Sequence, residues 1–132
     1  MYVKRVFFDD LREADNFEKQ INSPCWKDVE NLIDKMDGKN ITQITMDNGD
    51  EDNYFCLGGG NEGLFNIFIS ENDNETIFTL INPNDDVNIY KLVTGGQEAD
   101  FEGRLCVNTQ IAKVVARYYY ENGKKCDDYL WE

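Results

Sequence analysis

Carboxylates are the reactive groups this sequence has in greatest supply. Its 26 aspartates and glutamates stand against 13 lysines and arginines, giving a formal charge of −13, and there is no histidine. Without histidine the usual general base is missing, together with Ser-His and Cys-His nucleophile pairs and most zinc and non-haem iron sites. Carboxylates alone can run acid–base chemistry, provided one of them sits in apolar surroundings that raise its pKa. Asp85-Asp86 and Asp127-Asp128 are adjacent pairs in polar stretches and read as solvated. Cys56, beside Phe55, would be a nucleophile only next to a base or a helix N-terminus, and is otherwise a core thiol. Gln97 and Arg104 suit a ligand, loop hydrogen bonding or a surface ion pair equally. No catalytic residue emerges, and the expectation is a protein that is not an enzyme.

Two loops invite a ligand. Gly58-Gly59-Gly60 follows a strand-like run, as a phosphate loop would, but no Lys-Ser or Lys-Thr pair follows it and Leu64–Ser70 has a strand pattern where a helix is needed. Asp47–Asp52 is rich in oxygen but lacks the ligand spacing of a helix-loop-helix calcium motif, including its terminal bidentate glutamate. The four cysteines (Cys25, Cys56, Cys106, Cys126) are far apart with no Cys-x-x-Cys pair. They read as reduced thiols in the cytoplasm. No metal or cofactor is expected.

The elements that position these residues are organised around Tyr54–Ser70, where two apolar runs flank Gly58–Gly63 as a hairpin with an extended turn. Tyr2–Phe8 reads as a first strand, and Asp9–Gln20 as loop or short helix. Ser23-Pro24 predicts a helix start, followed by apolar Trp26, Val29, Leu32, Ile33 and Met36 at helical spacing and a stop at Gly38. Ile41–Met46, Thr76–Ile81 and Val87–Val93 read as strands, so that five strands from Ile41 to Val93 form an antiparallel meander joined by acidic turns. Thr94-Gly95-Gly96-Gln97 breaks the pattern, leaving a loop to Gly103 and a short strand at Arg104–Val107. Asn108 caps a last helix with the stripe Ile111, Val114, Val115, Tyr118 and Tyr119, ended by Asn122-Gly123. The apolar tail Tyr129-Leu130-Trp131 should dock. The prediction is a single α+β domain over residues 1–132, with one twisted antiparallel sheet of about five to seven strands and two main helices.

Charge then bounds the partners. A −13 chain is ill suited to nucleic acid or to an anionic membrane, which both attract a basic face. It suits a basic protein partner, although acidity also serves solubility alone. No apolar run approaches the ~20 residues that cross a bilayer, and no signal-peptide pattern opens the chain, so a cytoplasmic location is expected.

In order, these features resemble the first-described immunity-protein family of bacterial polymorphic toxin and contact-dependent growth inhibition systems. The similar pieces are the helix with Trp26, Leu32 and Ile33, the run Tyr54-Phe55-Cys56-Leu57-Gly58-Gly59-Gly60, the aromatic strand Leu64–Ile69, and Leu80-Ile81-Asn82-Pro83. Thr94-Gly95-Gly96-Gln97 follows, then Phe101, Arg104, Val107, Tyr118, Gly123 and the closing Leu130-Trp131. The resemblance covers about Trp26 to Trp131. Cys126-Asp127-Asp128 stands where the family usually has a proline. It implies a protein that binds the C-terminal domain of a cognate toxin, often a nucleic-acid-targeting deaminase or nuclease, one-to-one and without catalysis. Trp26, Gly58, Gly59, Gly60, Gly95, Gly96 and Trp131 then read as scaffold. Charge density points to Asp47, Asp50, Glu51, Asp52, Glu71, Asp73, Asp85, Asp86, Glu98 and Asp100 as the toxin-binding acids. The competing reading is a non-catalytic ligand- or metal-binding regulatory domain that uses the glycine loops and acidic turns.

Overall fold

Alternating apolar residues in five short runs and two amphipathic stretches produce a sheet with helices on one face. The computed structural model describes residues 1–13 and 18–132. Among them the order is β1 (Arg5–Asp9), β2 (Glu18–Asn22), α1 (Trp26–Lys35), β3 (Gln43–Asp47), β4 (Tyr54–Gly59), β5 (Leu64–Glu71) and β6 (Thr76–Thr79). β7 (Ile89–Thr94), β8 (Gln97–Glu102), β9 (Val107–Asn108) and α2 (Thr109–Asn122) complete it. The main sheet runs β2-β1-β3-β4-β5-β6, with β9 also on β5, and every pairing in it is antiparallel. The α+β class, with a main sheet of seven strands and two helices, is the one expected; a second, two-stranded sheet of β7 and β8 adds to it.

One face of the sheet is the core. Val6, Ile44, Met46, Phe55, Leu57, Phe65, Ile67 and Ile69 alternate inward and meet Val29, Leu32 and Ile33 of α1 and Ala112, Val115, Ala116 and Tyr119 of α2. Removing this much apolar surface from water is the main stabilising term. The stripe on α2 is turned by about one residue from the expected one: Val114 is exposed, while Ala112, Ala116 and Tyr120 are buried. The small alanines let the helix approach the sheet closely, a role that a scan for large apolar residues passes over. Asn108 caps α2 through Oδ1, accepting from Ile111 N at 2.9 Å, and Gly123 closes it at φ +69°.

Local differences from expectation have local causes. Ser23 is not the cap of α1: it lies at φ +51° and donates its N–H to the Lys4 carbonyl, which ties it to β1. The cap is Cys25, whose N–H is accepted by the Asp28 carboxylate at 3.0 Å. The expected loop or short helix at Asp9–Gln20 lies partly outside the described residues, and at both described ends it is strand instead: Asp9 closes β1 and Glu18–Gln20 open β2, paired along β1.

Val87–Val93, the fifth strand of the expected meander, holds β7, which leaves the main sheet and pairs with β8 instead. The side-chain amide of Asn82 donates to the carbonyls of Cys106 (2.8 Å) and Gly103 (3.4 Å), turning the chain away after β6. Thr94–Gly103, expected as a loop, is the turn and second strand of a hairpin. Gly95 and Gly96 have φ of +59° and +79°, the pair of positive angles that a tight two-residue hairpin turn demands. The β7–β8 ribbon crosses the sheet at the glycine triplet. A Cβ on Gly58 would stand 2.6 Å from Thr94 Cγ2, and one on Gly60 2.6 Å from the Met36 carbonyl carbon at the end of α1. These glycines are therefore the crossing point of three elements. At the other side, Thr79 and Glu132 exchange two backbone hydrogen bonds, so the C-terminal tail covers part of the β6 edge, as its apolar composition implied.

Candidate functional site

The face of the sheet opposite the helices carries a different set of side chains. Gln20, Phe7, Thr45, Cys56, Phe68 and Thr79 stand side by side in register across β2, β1, β3, β4, β5 and β6. Tyr54, next along β4, meets Phe68 edge-on with ring centroids 6.1 Å apart. The ribbon covers this face over Gly58 and Gly59, where Leu92 is fully buried, and its turn reaches Gln43 of β3. Phe7, Gln43, Thr45, Tyr54 and Phe68 remain half-buried, and Ile77 on β6 is exposed. A shallow cavity of about 350 Å³ lies here, lined by Phe7, Glu18, Gln43, Thr45, Asp47, Glu51 and Tyr54. A second of about 160 Å³ shares four of these residues and reaches Gly95 at the ribbon turn.

Two polar arrangements fix the shape of this surface. Asp9 accepts from the backbone N–H groups of Thr42 (2.8 Å) and Gln43 (2.9 Å) and from the Thr42 hydroxyl, which in turn accepts from Gly96 N at 3.0 Å. This relay pins the ribbon turn to the start of β3. Further along, Arg5 Nε and Nη2 donate to the two oxygens of Asp47 at 2.7 and 2.9 Å, and the guanidinium carbon lies 5.2 Å from the Phe7 ring centroid. The side-chain hydrogen bond to Asp47 holds the Arg5 guanidinium above its ordinary pKa.

The acids singled out from the sequence fall into separate groups. Asp47 is buried against Arg5 and also accepts from Gly49 N, so it is a scaffold residue and not an exposed contact. Asp50, Glu51 and Asp52 on the β3–β4 turn, and Asp73 on the β5–β6 turn, are exposed at one end of the sheet; Asp73 N donates to the Asp52 carbonyl at 2.9 Å, joining the two turns. Glu71, half-buried at the end of β5, lines a separate cavity of about 370 Å³ with Lys124 and Lys125. Asp85 is exposed. Asp86 is engaged locally: the Asn88 N–H and the Tyr90 hydroxyl hold its carboxyl below the usual carboxylate range. On β8, Glu98, Asp100 and Glu102 share one exposed face, and Asp100 pairs with Lys91. Trp26 packs on Tyr120, and Trp131 donates its indole N–H to the Cys126 carbonyl at 3.0 Å.

Sequence reasoning missed the open face itself. Phe7, Glu18, Gln43, Thr45 and Phe68 come from strands far apart in sequence, and only the register brings them together. Tyr54 and Phe68 carried a signal, since they are aromatic residues at positions of β4 and β5 that alternate with the buried Phe55, Ile67 and Ile69.

Cys56 and Cys106 are poor nucleophiles. Burial pushes Cys56 up to about 12 and Cys106 up to about 11, so both are protonated at neutral pH. Among the described residues no group of three or more histidine, cysteine, aspartate or glutamate side chains is arranged to hold a metal ion. No described helix is long and apolar enough to cross a membrane. No family model, curated protein or solved structure matches the chain.

Proposed function

We propose that the chain is an immunity protein: it binds the C-terminal domain of a cognate toxin, of the deaminase or nuclease kind that acts on nucleic acid, and blocks it in the cytoplasm as a one-to-one complex. One observation carries this reading. Eight of the thirteen basic residues lie in salt bridges with the chain's own carboxylates, while Asp50, Glu51, Asp52, Asp73, Asp85 and Glu98 have no such partner among the described residues. The uncompensated charge is thus negative and outward-facing. A toxin that acts on nucleic acid presents a basic cleft, and a rigid acidic surface is complementary to it in sign and accelerates the encounter. The order of sequence features that resembles an immunity family supports the same reading.

The test is co-expression with the toxin-like C-terminal domain encoded immediately upstream. Neutralisation in trans and co-purification at one-to-one stoichiometry are expected. A toxin left fully active by an excess of the folded chain would end the proposal.

A further inference from the structure

We propose that the uncovered face of the main sheet seats an arginine side chain of the protein partner, in the cavity lined by Phe7, Tyr54, Glu18 and Glu51. This rests on the reading of the chain as an inhibitor that binds another protein, and names the chemistry its surface recognises.

Three observations converge. The face has the composition of a binding surface: half-exposed Phe7, Tyr54 and Phe68 beside exposed Ile77, with carboxylates around them. Aromatic centres with a polar rim are the usual anatomy of protein interfaces. The cavity of about 350 Å³ is lined by three carboxylates, of which Asp47 is paired with Arg5, whose charge also acts on Glu51. The molecule also makes the proposed contact once internally, where Arg5 lies against the Phe7 ring and forks onto Asp47. That pairing uses the charge of Asp47. Glu18 and Glu51, exposed in the same cavity, have no salt-bridge partner among the described residues.

Arginine fits better than lysine because a planar, weakly hydrated guanidinium stacks on aromatic rings and forks onto carboxylates. A phosphate-bearing occupant is disfavoured by the carboxylates themselves.

The experiment uses the full chain and fluorescein-labelled hexa-arginine, with hexalysine as comparator, read by anisotropy and by amide shifts in a nitrogen-15 spectrum. The double variant Glu18→Gln, Glu51→Gln should weaken hexa-arginine by about tenfold, the equivalent of about 1.4 kcal/mol. Asp127→Asn with Asp128→Asn removes the same charge beyond α2 and should change it less than about twofold. Both pairs are exposed, and matching thermal melts establish that the variants fold. Shifts should centre on Phe7, Thr45 and Tyr54, and hexalysine should bind more weakly. Equal losses in the two double variants, equal binding of the two peptides, or shifts centred elsewhere would overturn the proposal. With the toxin domain in hand the two levels separate. Unchanged toxin affinity in the Glu18/Glu51 variant sinks the arginine seat and leaves the inhibitor reading standing. Hexa-arginine binding at this face without any toxin binding does the reverse.

Discussion

Asp9 carries more of the architecture than its place at the end of a strand suggests. Its carboxylate serves two backbone N–H groups and the Thr42 hydroxyl, in a nearly solvent-free position. Asp9→Ala leaves those donors without a partner, and denaturant unfolding should show a loss of about 3 kcal/mol. The thiols give a second check at this scale. Cys56, Cys106 and Cys126 are buried and Cys25 is exposed, so a thiol reagent should modify one cysteine in the native chain and four in denaturant. The sign of the pH effect follows from burial. The thiols of Cys56 and Cys106 are raised above their ordinary 9.0, so the unfolded chain loses those protons first as pH rises. Their contribution to stability is complete below pH 9 and is lost progressively above it, which a pH series of thermal melts will show as a falling Tm. Residue roles were only partly legible. Cys56 reads correctly as a buried thiol from its apolar neighbours, though it lies on the face opposite the helices, whereas nothing near Asp47 in sequence announces Arg5, 42 positions away.

Elements with a strong period were readable, and those without one were not. The hairpin β4–β5, both helices and strands β3 and β6 follow from apolar spacing and turn residues. Strands β2 (EKQIN) and β8 (QEADFE) are polar on their outward positions and have little core to face, so their sequences look like loops. They are strands because a neighbour offers a hydrogen-bonding edge, which is a tertiary cause. Likewise the glycine triplet signalled close approach without saying of what. Gly60 has φ +98° and would put a Cβ against the backbone of Met36, so Gly60→Ala should cost about 3 kcal/mol or more through strain and overpacking. Leu92 is the apolar anchor of the ribbon and is fully buried. Leu92→Ala should cost about 3 kcal/mol and release the ribbon from the sheet, seen as loss of amide protection in β7 and β8 before the rest of the molecule.

For the molecule as a whole, a neutral-faced binder and an acidic one make different kinetic predictions. Charge-steered association slows steeply as salt is added, while dissociation changes little. The −13 charge was plain in the sequence; its partition between internal pairs and free carboxylates was not, because pairing depends on register. The measurement that tests the central claim is a calorimetric titration of this chain with the toxin domain proposed as its partner, repeated at low and high salt. The account predicts a one-to-one complex of sub-micromolar Kd that weakens as salt rises. No binding heat, or a complex whose affinity ignores salt and the loss of the Glu18 and Glu51 charges, would contradict it.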